Sequence, residues 1–263
     1  MKSQHPIGLF DSGVGGTTIW SEIHKLMPYE NTIYLADSKY APYGNRPAEE
    51  IIRLSIKNVE KLIAFDCKII IVACNTATTN AIEVLREKFS IPFIGIEPPI
   101  KPAALQSKTK RIGVLATKGT LSSTHFNKAS KNYTNTVDII EVIGKQLVTL
   151  IEAGEIDSPK IINLLKEYTA PMIAANVDHV VLGCTHYPYL TPILRQILPS
   201  HVQITHSGEA VARQTKKVLT DNKMLDEKNE KPFYRFHTNG NARILKSLLQ
   251  EYSDKIEIST LDF

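Results

Sequence analysis

Cysteine is scarce in this chain. Only three occur in 263 residues, an odd number with no CxxC spacing. That argues against a disulfide framework and against a four-ligand zinc site, and leaves free thiols. Charge of one sign is equally short. Lys and Arg number 31 against 27 Asp and Glu, for a net charge of +4, and the lysines are dispersed among acids in stretches such as TDNKMLDEKNEKP. No basic cluster is interleaved with aromatics, which argues against a nucleic-acid partner; a small anionic substrate stays compatible. Long apolar runs are missing too. No run reaches the roughly 18 residues that a membrane span needs, and the opening MKSQHPIGLFDSG turns polar too early for a signal peptide. A cytoplasmic protein without a membrane partner is expected. The 43% hydrophobic and 22% charged fractions are those of a globular chain that can bury a core.

What is present is a regular alternation of short apolar strands and amphipathic segments, the pattern of βα units around parallel sheets. IGLF (7–10), TIYLA (32–36) and KIIIVA (68–73) read as strands. A helix that Pro47 can start lies between the last two, with Ile52, Ile56, Val59 and Ile63 at helical spacing. A second series follows: RIGVLA (111–116), VDIIEV (137–142), DHVVLG (178–183) and VQIT (202–205), with helical stretches such as SPKIINLLKEY between them. The basic, proline-containing PPIKPAALQSKTKR (98–111) reads as the crossover between two domains.

The two series are an internal repeat. IGLFDS (7–12) matches IGVLAT (112–117), and IIVACNT (70–76) matches VVLGCTH (180–186), each of the latter pair followed by Leu-Arg on the next helix and a further short strand. The expected fold is therefore α/β: two similar parallel-sheet domains related by a pseudo-dyad, with the active site in the cleft between them. Residues 1–98, completed by 209–263, would form the first domain and 99–208 the second. In open parallel sheets the ligand crevice lies beyond the carboxyl ends of the strands. Cys74 and Cys184 hold that position in their own halves, so a shared cleft would place two thiols on opposite sides of one ligand.

A lone cysteine in such a chain usually packs, and Cys67, with no counterpart in the second half, takes that reading. Cys74 and Cys184 each stand where a strand is expected to hand over to a helix N-terminus, where backbone N–H groups and the helix dipole favour a thiolate. Against an ordinary thiol pKa of about 8.5, a modest depression makes a usable base near neutral pH. Two opposed acid/base groups of one kind suit removal of a proton from one face of a carbon and its return to the other, which is racemisation or epimerisation. Asn75 and Thr76 in one half, and Thr185 and His186 in the other, could hold the charged ends of a substrate. Helix capping is their simpler role.

GLFDSGVGG, YLADSKYAPYGNRP, ACNTATTNA and VLGCTHYPYL resemble the ordered motif set of bacterial glutamate racemases, within the aspartate/glutamate racemase superfamily, and the resemblance spans almost the whole chain. It implies a cofactor-independent racemase of two α/β domains that interconverts L- and D-glutamate and supplies D-glutamate for peptidoglycan. By the same resemblance, Cys74 and Cys184 are the proton donor/acceptors. Asp11 assists Cys74, and Glu152 and His186 assist Cys184. Asp11, Ser12, Tyr43, Gly44, Asn75, Thr76, Thr185 and His186 become substrate contacts, with Thr117, the repeat counterpart of Ser12, adding another. Glu155 competes with Glu152, which is preferred because it directly follows the apolar Leu150-Ile151 edge of its helix. The expected partner is glutamate; a homodimer stays open, and no metal is implied.

Three other readings compete. GVGGTT followed by TIYLAD imitates a dinucleotide fingerprint, but Thr18 stands where the third glycine belongs; the glycines read instead as a tight turn that brings backbone near the substrate. A cysteine hydrolase using Cys184 with His186 or another histidine would leave Cys74 idle, and neither it nor a non-enzymatic two-lobed binding module accounts for the duplicated motif as economically. Cys74, Cys184 and His186 as metal ligands lack a fourth.

Overall fold

The computed structural model describes residues 2–263. Ten strands form two sheets. The strands of the first half are β1 (Ile7–Asp11), β2 (Thr32–Ala36), β3 (Ile69–Val72) and β4 (Phe93–Gly95). Those of the second are β5 (Arg111–Ala116), β6 (Asp138–Ile143), β7 (His179–Gly183) and β8 (Gln203–Thr205), and β9 (Tyr234–Thr238) and β10 (Ile256–Thr260) follow. One sheet runs β10-β9-β2-β1-β3-β4 and the other β6-β5-β7-β8. All pairings are parallel. β1, β2 and β3 are buried along their whole length, and for this reason they read as unbroken apolar runs rather than alternating ones.

The repeat in the sequence is a repeat in the topology. β2-β1-β3-β4 has the strand order of β6-β5-β7-β8. The register agrees as well: Gly8 lies opposite Ile70 and Gly113 opposite Val180, which are corresponding positions of the two halves. Symmetry ends at β9 and β10, which extend only the first sheet.

Two local readings of the sequence gain detail. The helix Ala48–Ala64 buries Ile51, Leu54, Ser55, Asn58, Val59 and Leu62, while Ile63 is 39% exposed. Its inward stripe keeps Val59 and includes Asn58, which hydrogen-bonds to Asp37 (3.0 Å) and Leu54 O (2.9 Å). The crossover stretch is partly helical. Ile100–Gln106 within it is helical and buries Ile100, Ala103 and Ala104. The chain returns alongside, where Ser207 Oγ donates to Glu97 O at 2.5 Å.

The C-terminal segment is fastened to the first half. Lys68 and Glu30 form an ion pair with side chains 1% and 0% exposed. Lys68 Nζ also donates to Ser3 O (2.6 Å) and Met224 O (2.9 Å), and Glu30 Oε1 accepts from Asp226 N at 2.9 Å. Trp20 meets Tyr234, Phe236 and Tyr252 edge-on. Among the described residues no helix is long and apolar enough to cross a membrane.

Candidate active site

The carboxyl ends of β1, β3, β5 and β7 face one narrow cavity of about 10 Å³, whose lining includes Ser12, Tyr43, Gly44, Cys74, Asn75, Thr76, Thr117, Cys184, Thr185 and His186. Both cysteines therefore border one space. Asp11 and Glu152 do not line it and stand behind the wall. Pro42 and Val148 complete the lining, and neither was singled out in the sequence. Val148 lies one helical turn before Glu152, so the two project from the same helix face; that spacing was the available signal.

Cys74 caps the helix Asn75–Lys88, its Sγ accepting from Ala77 N at 3.4 Å. A second contact joins it to the Ser12 hydroxyl at 3.6 Å. The helix N-terminus is where the sequence placed it, yet the expected lowering of the thiol pKa does not follow. Burial and the Asp11 carboxylate push the Cys74 thiol well above its ordinary value, outweighing the Ala77 N–H and Ser12 hydroxyl that favour the thiolate. Asp11 is itself fully buried. It accepts from Ser12 N (2.6 Å), Ser12 Oγ (3.1 Å), Thr185 Oγ1 (3.0 Å) and Gly16 N. Burial raises its carboxyl above the usual range, with the Glu152 charge adding to the rise and His186, Thr185 and Cys74 opposing it.

Cys184 has different surroundings. It is followed by a turn and the 3-10 helix Tyr187–Leu190, so the helix-dipole argument does not carry over to it. A side-chain chain takes that place. Cys184 Sγ lies 3.8 Å from His186 Nδ1, and His186 Nε2 lies 2.5 Å from Glu152 Oε1. Burial alone would lower the His186 pKa, but Cys184 and the Glu152 carboxylate outweigh it and hold the ring well above its ordinary value. Glu155 is exposed and takes no part in this chain.

The glycine turn after β1 makes room for the side chains behind the cavity wall. A Cβ on Gly13 would lie 1.9 Å from Glu152 Oε1, one on Gly15 2.2 Å from His186 Nδ1, and one on Gly16 2.9 Å from Asp11 Cβ. The turn lets the groups behind both cysteines approach the backbone. Tyr43 likewise turns its hydroxyl away from the cavity, to Asp37 and Asn58. Across the cleft, Thr76 Oγ1 meets Thr117 Oγ1 at 2.9 Å and Thr120 Oγ1 at 3.3 Å. Asn75 Nδ2 is buried without a hydrogen-bond partner, an unusual state for such a donor, and its residue lines the cavity. Cys67 packs against Gly8 and is pushed up to about 12 by burial. Among the described residues no group of three His, Cys, Asp or Glu side chains is arranged to hold a metal.

Chemically, the cavity presents a neutral thiol on one wall and, on the other, a thiol backed by an imidazole and a carboxylate. Comparison with known proteins shows the family. The family model for Asp/Glu/hydantoin racemases matches residues 23–215. The chain is 41% identical over 243 residues to the glutamate racemase of Cupriavidus pinatubonensis, covering 92% of this chain and 89% of that one. Among solved structures, it resembles the glutamate racemase isoform RacE1 of Bacillus anthracis with a TM-score of 0.88, 32% identity and coverage of 99% and 98%. The Escherichia coli glutamate racemase, solved with L-glutamate and the activator UDP-MurNAc-ala, gives 0.85, 31% identity and 98% coverage of each chain.

Proposed function

The chain belongs to the Asp/Glu/hydantoin racemase family, and from that premise we propose that it is a glutamate racemase in which Cys74 and Cys184 transfer protons on opposite faces of the substrate Cα. The observation that carries this reading is the pair of thiols bordering one cavity, with Asp11 beside Cys74 and His186 beside Cys184. His186, which Cys184 and the Glu152 carboxylate hold well above its ordinary pKa, lies 3.8 Å from Cys184 Sγ, and Cys184 acts in this scheme as a thiolate. That thiolate takes the α-proton from one enantiomer, and the neutral Cys74 thiol gives its proton to the opposite face of the resulting carbanion. The enzyme is left with a thiolate at Cys74 and a thiol at Cys184, the starting state for the reverse direction. The Asp11 carboxylate beside Cys74 raises the basicity of that thiolate for the reverse transfer.

Substrate binding falls to the polar lining. The orphan Asn75 amide, together with Ser12, Thr76, Thr117 and Thr185, suits the charged groups of an amino acid. A site built around a side-chain carboxylate leaves its polar groups unpaired when a shorter or neutral substrate binds, so glutamate is favoured over alanine. No cofactor enters the scheme. D-glutamate so formed serves peptidoglycan synthesis, and free, buried thiols fit a reducing cytoplasm.

Racemisation followed in deuterated water, with metals chelated and no pyridoxal phosphate added, tests this. Product should gain deuterium at Cα while residual substrate gains much less at early times, because the returned proton comes from the second, solvent-exchanged thiol. Cys74→Ser or Cys184→Ser should nearly abolish turnover. Equal early labelling of both pools, or undiminished turnover by either variant, would overturn the two-thiol scheme.

A further inference from the structure

The Glu152 carboxylate is held from the opposite half of the molecule. Oε1, the oxygen on His186, also accepts from Val14 N at 2.7 Å, and Oε2 accepts from the Ser38 hydroxyl at 3.0 Å. Ser38 opens the 3-10 turn just beyond β2, whereas Glu152 and His186 belong to the second half. It is half-buried and backed by the turn after β9. Asn239 Oδ1 accepts from Lys39 N at 2.9 Å and Asn239 Nδ2 donates to Asp37 Oδ1 at 2.5 Å. A Cβ on Gly240 would stand 2.7 Å from Ser38 Cβ, so only glycine admits Ser38 this closely. The serine is thus packed close against this turn.

We propose that Ser38 is a positioning residue of the racemisation. It fixes Oε2 so that Oε1 stays aimed at His186, and through His186 it sets the competence of Cys184 as a base. A carboxylate anchored at one oxygen can still swing about its Cγ–Cδ bond; anchored at both, it cannot. This inference rests on the assignment of Cys184, His186 and Glu152 to one of the two proton transfers.

The test compares Ser38→Ala with Ser38→Thr and with Glu152→Gln, using L- and D-glutamate deuterated at Cα. Losing a hydrogen bond to a charged group should lower kcat/KM roughly tenfold in Ser38→Ala. The loss must be equal in both directions, because enantiomers have equal free energy. The isotope effects need not be equal. The effect on kcat/KM should rise for the enantiomer whose hydrogen Cys184 removes and fall for the other, since only one of the two transfers is weakened. Ser38→Thr, which keeps the hydroxyl, should restore both values. A purely structural role for Ser38 would lower the rate and leave the pair of isotope effects unchanged, and that result overturns the proposal, as does an unchanged kcat/KM. If Glu152→Gln skews the isotope effects and Ser38→Ala does not, only the role of Ser38 falls. If Glu152→Gln leaves them unskewed, the underlying assignment falls with it. Should Ser38→Ala fail to fold, Ser38→Gly carries the same comparison.

Discussion

Gly15→Ala isolates the contribution of His186 without touching any reacting atom. The backbone at Gly15 lies outside the left-handed region, so alanine is conformationally acceptable there. The conflict is with the imidazole: the new Cβ would stand 2.2 Å from Nδ1, 2.6 Å from Cγ and 2.7 Å from Cε1. Contacts between such atoms belong near 3.5 Å, so the ring must retreat by about 1 Å. It has no slack in which to do so, being 1% exposed and engaged by Glu152 at 2.5 Å on its far nitrogen. A misplacement of about 1 Å in a catalytic array costs about 100-fold in rate, equivalent to about 2.7 kcal/mol at 1.36 kcal/mol per tenfold. Overpacking will also cost about 1 to 3 kcal/mol of stability, so a thermal melt must accompany the kinetics. The assay is polarimetric racemisation started from each enantiomer. A folded Gly15→Ala enzyme whose kcat/KM stays within about twofold of the parent would show that the position of His186 does not matter to the reaction.

Two further predictions concern the scaffold. Asp178 lies beside β7 and accepts from Ser107 Oγ (2.7 Å), Lys108 N (2.5 Å) and Thr109 N (2.9 Å), with His179 Nδ1 at 3.0 Å. Burial works to raise its carboxyl, but these donors outweigh it and hold the group well below the carboxylate range. A depressed folded-state pKa gives stability that is complete above the unfolded value of about 3.9 and is lost as pH falls through the folded one. Asp178→Asn should therefore flatten the acid limb of stability in urea titrations across pH, and an unaltered limb would contradict the assignment. Lys68→Met leaves the Glu30 carboxylate buried and unpaired and should cost about 3 to 5 kcal/mol in chemical denaturation. Most of that cost should be regained in the Lys68→Met, Glu30→Leu double variant; a loss below about 1 kcal/mol would refute a buried charge at Glu30.

The α/β alternation, the internal repeat and the meeting of Cys74 with Cys184 were all legible in the sequence, because buried parallel strands announce themselves as apolar runs and the two halves share a register. β9 and β10 were not legible as strands. Their pattern, YRFHT and IEIST, alternates with charged and polar residues because β10 is an edge and one face of each is partly open. The protonation of the thiols was not legible either. A helix N-terminus at Cys74 could be read from the local sequence, but the opposing Asp11 lies 63 residues away and burial is a property of the whole fold. Ser38 and Val14 escaped notice for the same reason: their partner, Glu152, is distant in sequence and local patterns do not encode it.

The placement of β9 beside β2 has a consequence for biogenesis. Asn31 and Phe233 are hydrogen-bonded neighbours although 202 residues separate them. On a ribosome adding roughly 5 to 20 residues per second, the second sheet can close from one continuous stretch of nascent chain. The first sheet meanwhile waits with the flank of β2 unpaired, the kind of open edge that recruits other strands. The first sheet, begun earliest, is therefore completed only after the second half of the polypeptide has been made. The Asn239–Gly240 turn that braces Ser38 belongs to that final instalment, so a partly synthesised chain can hold both thiols without yet holding the support behind one of them.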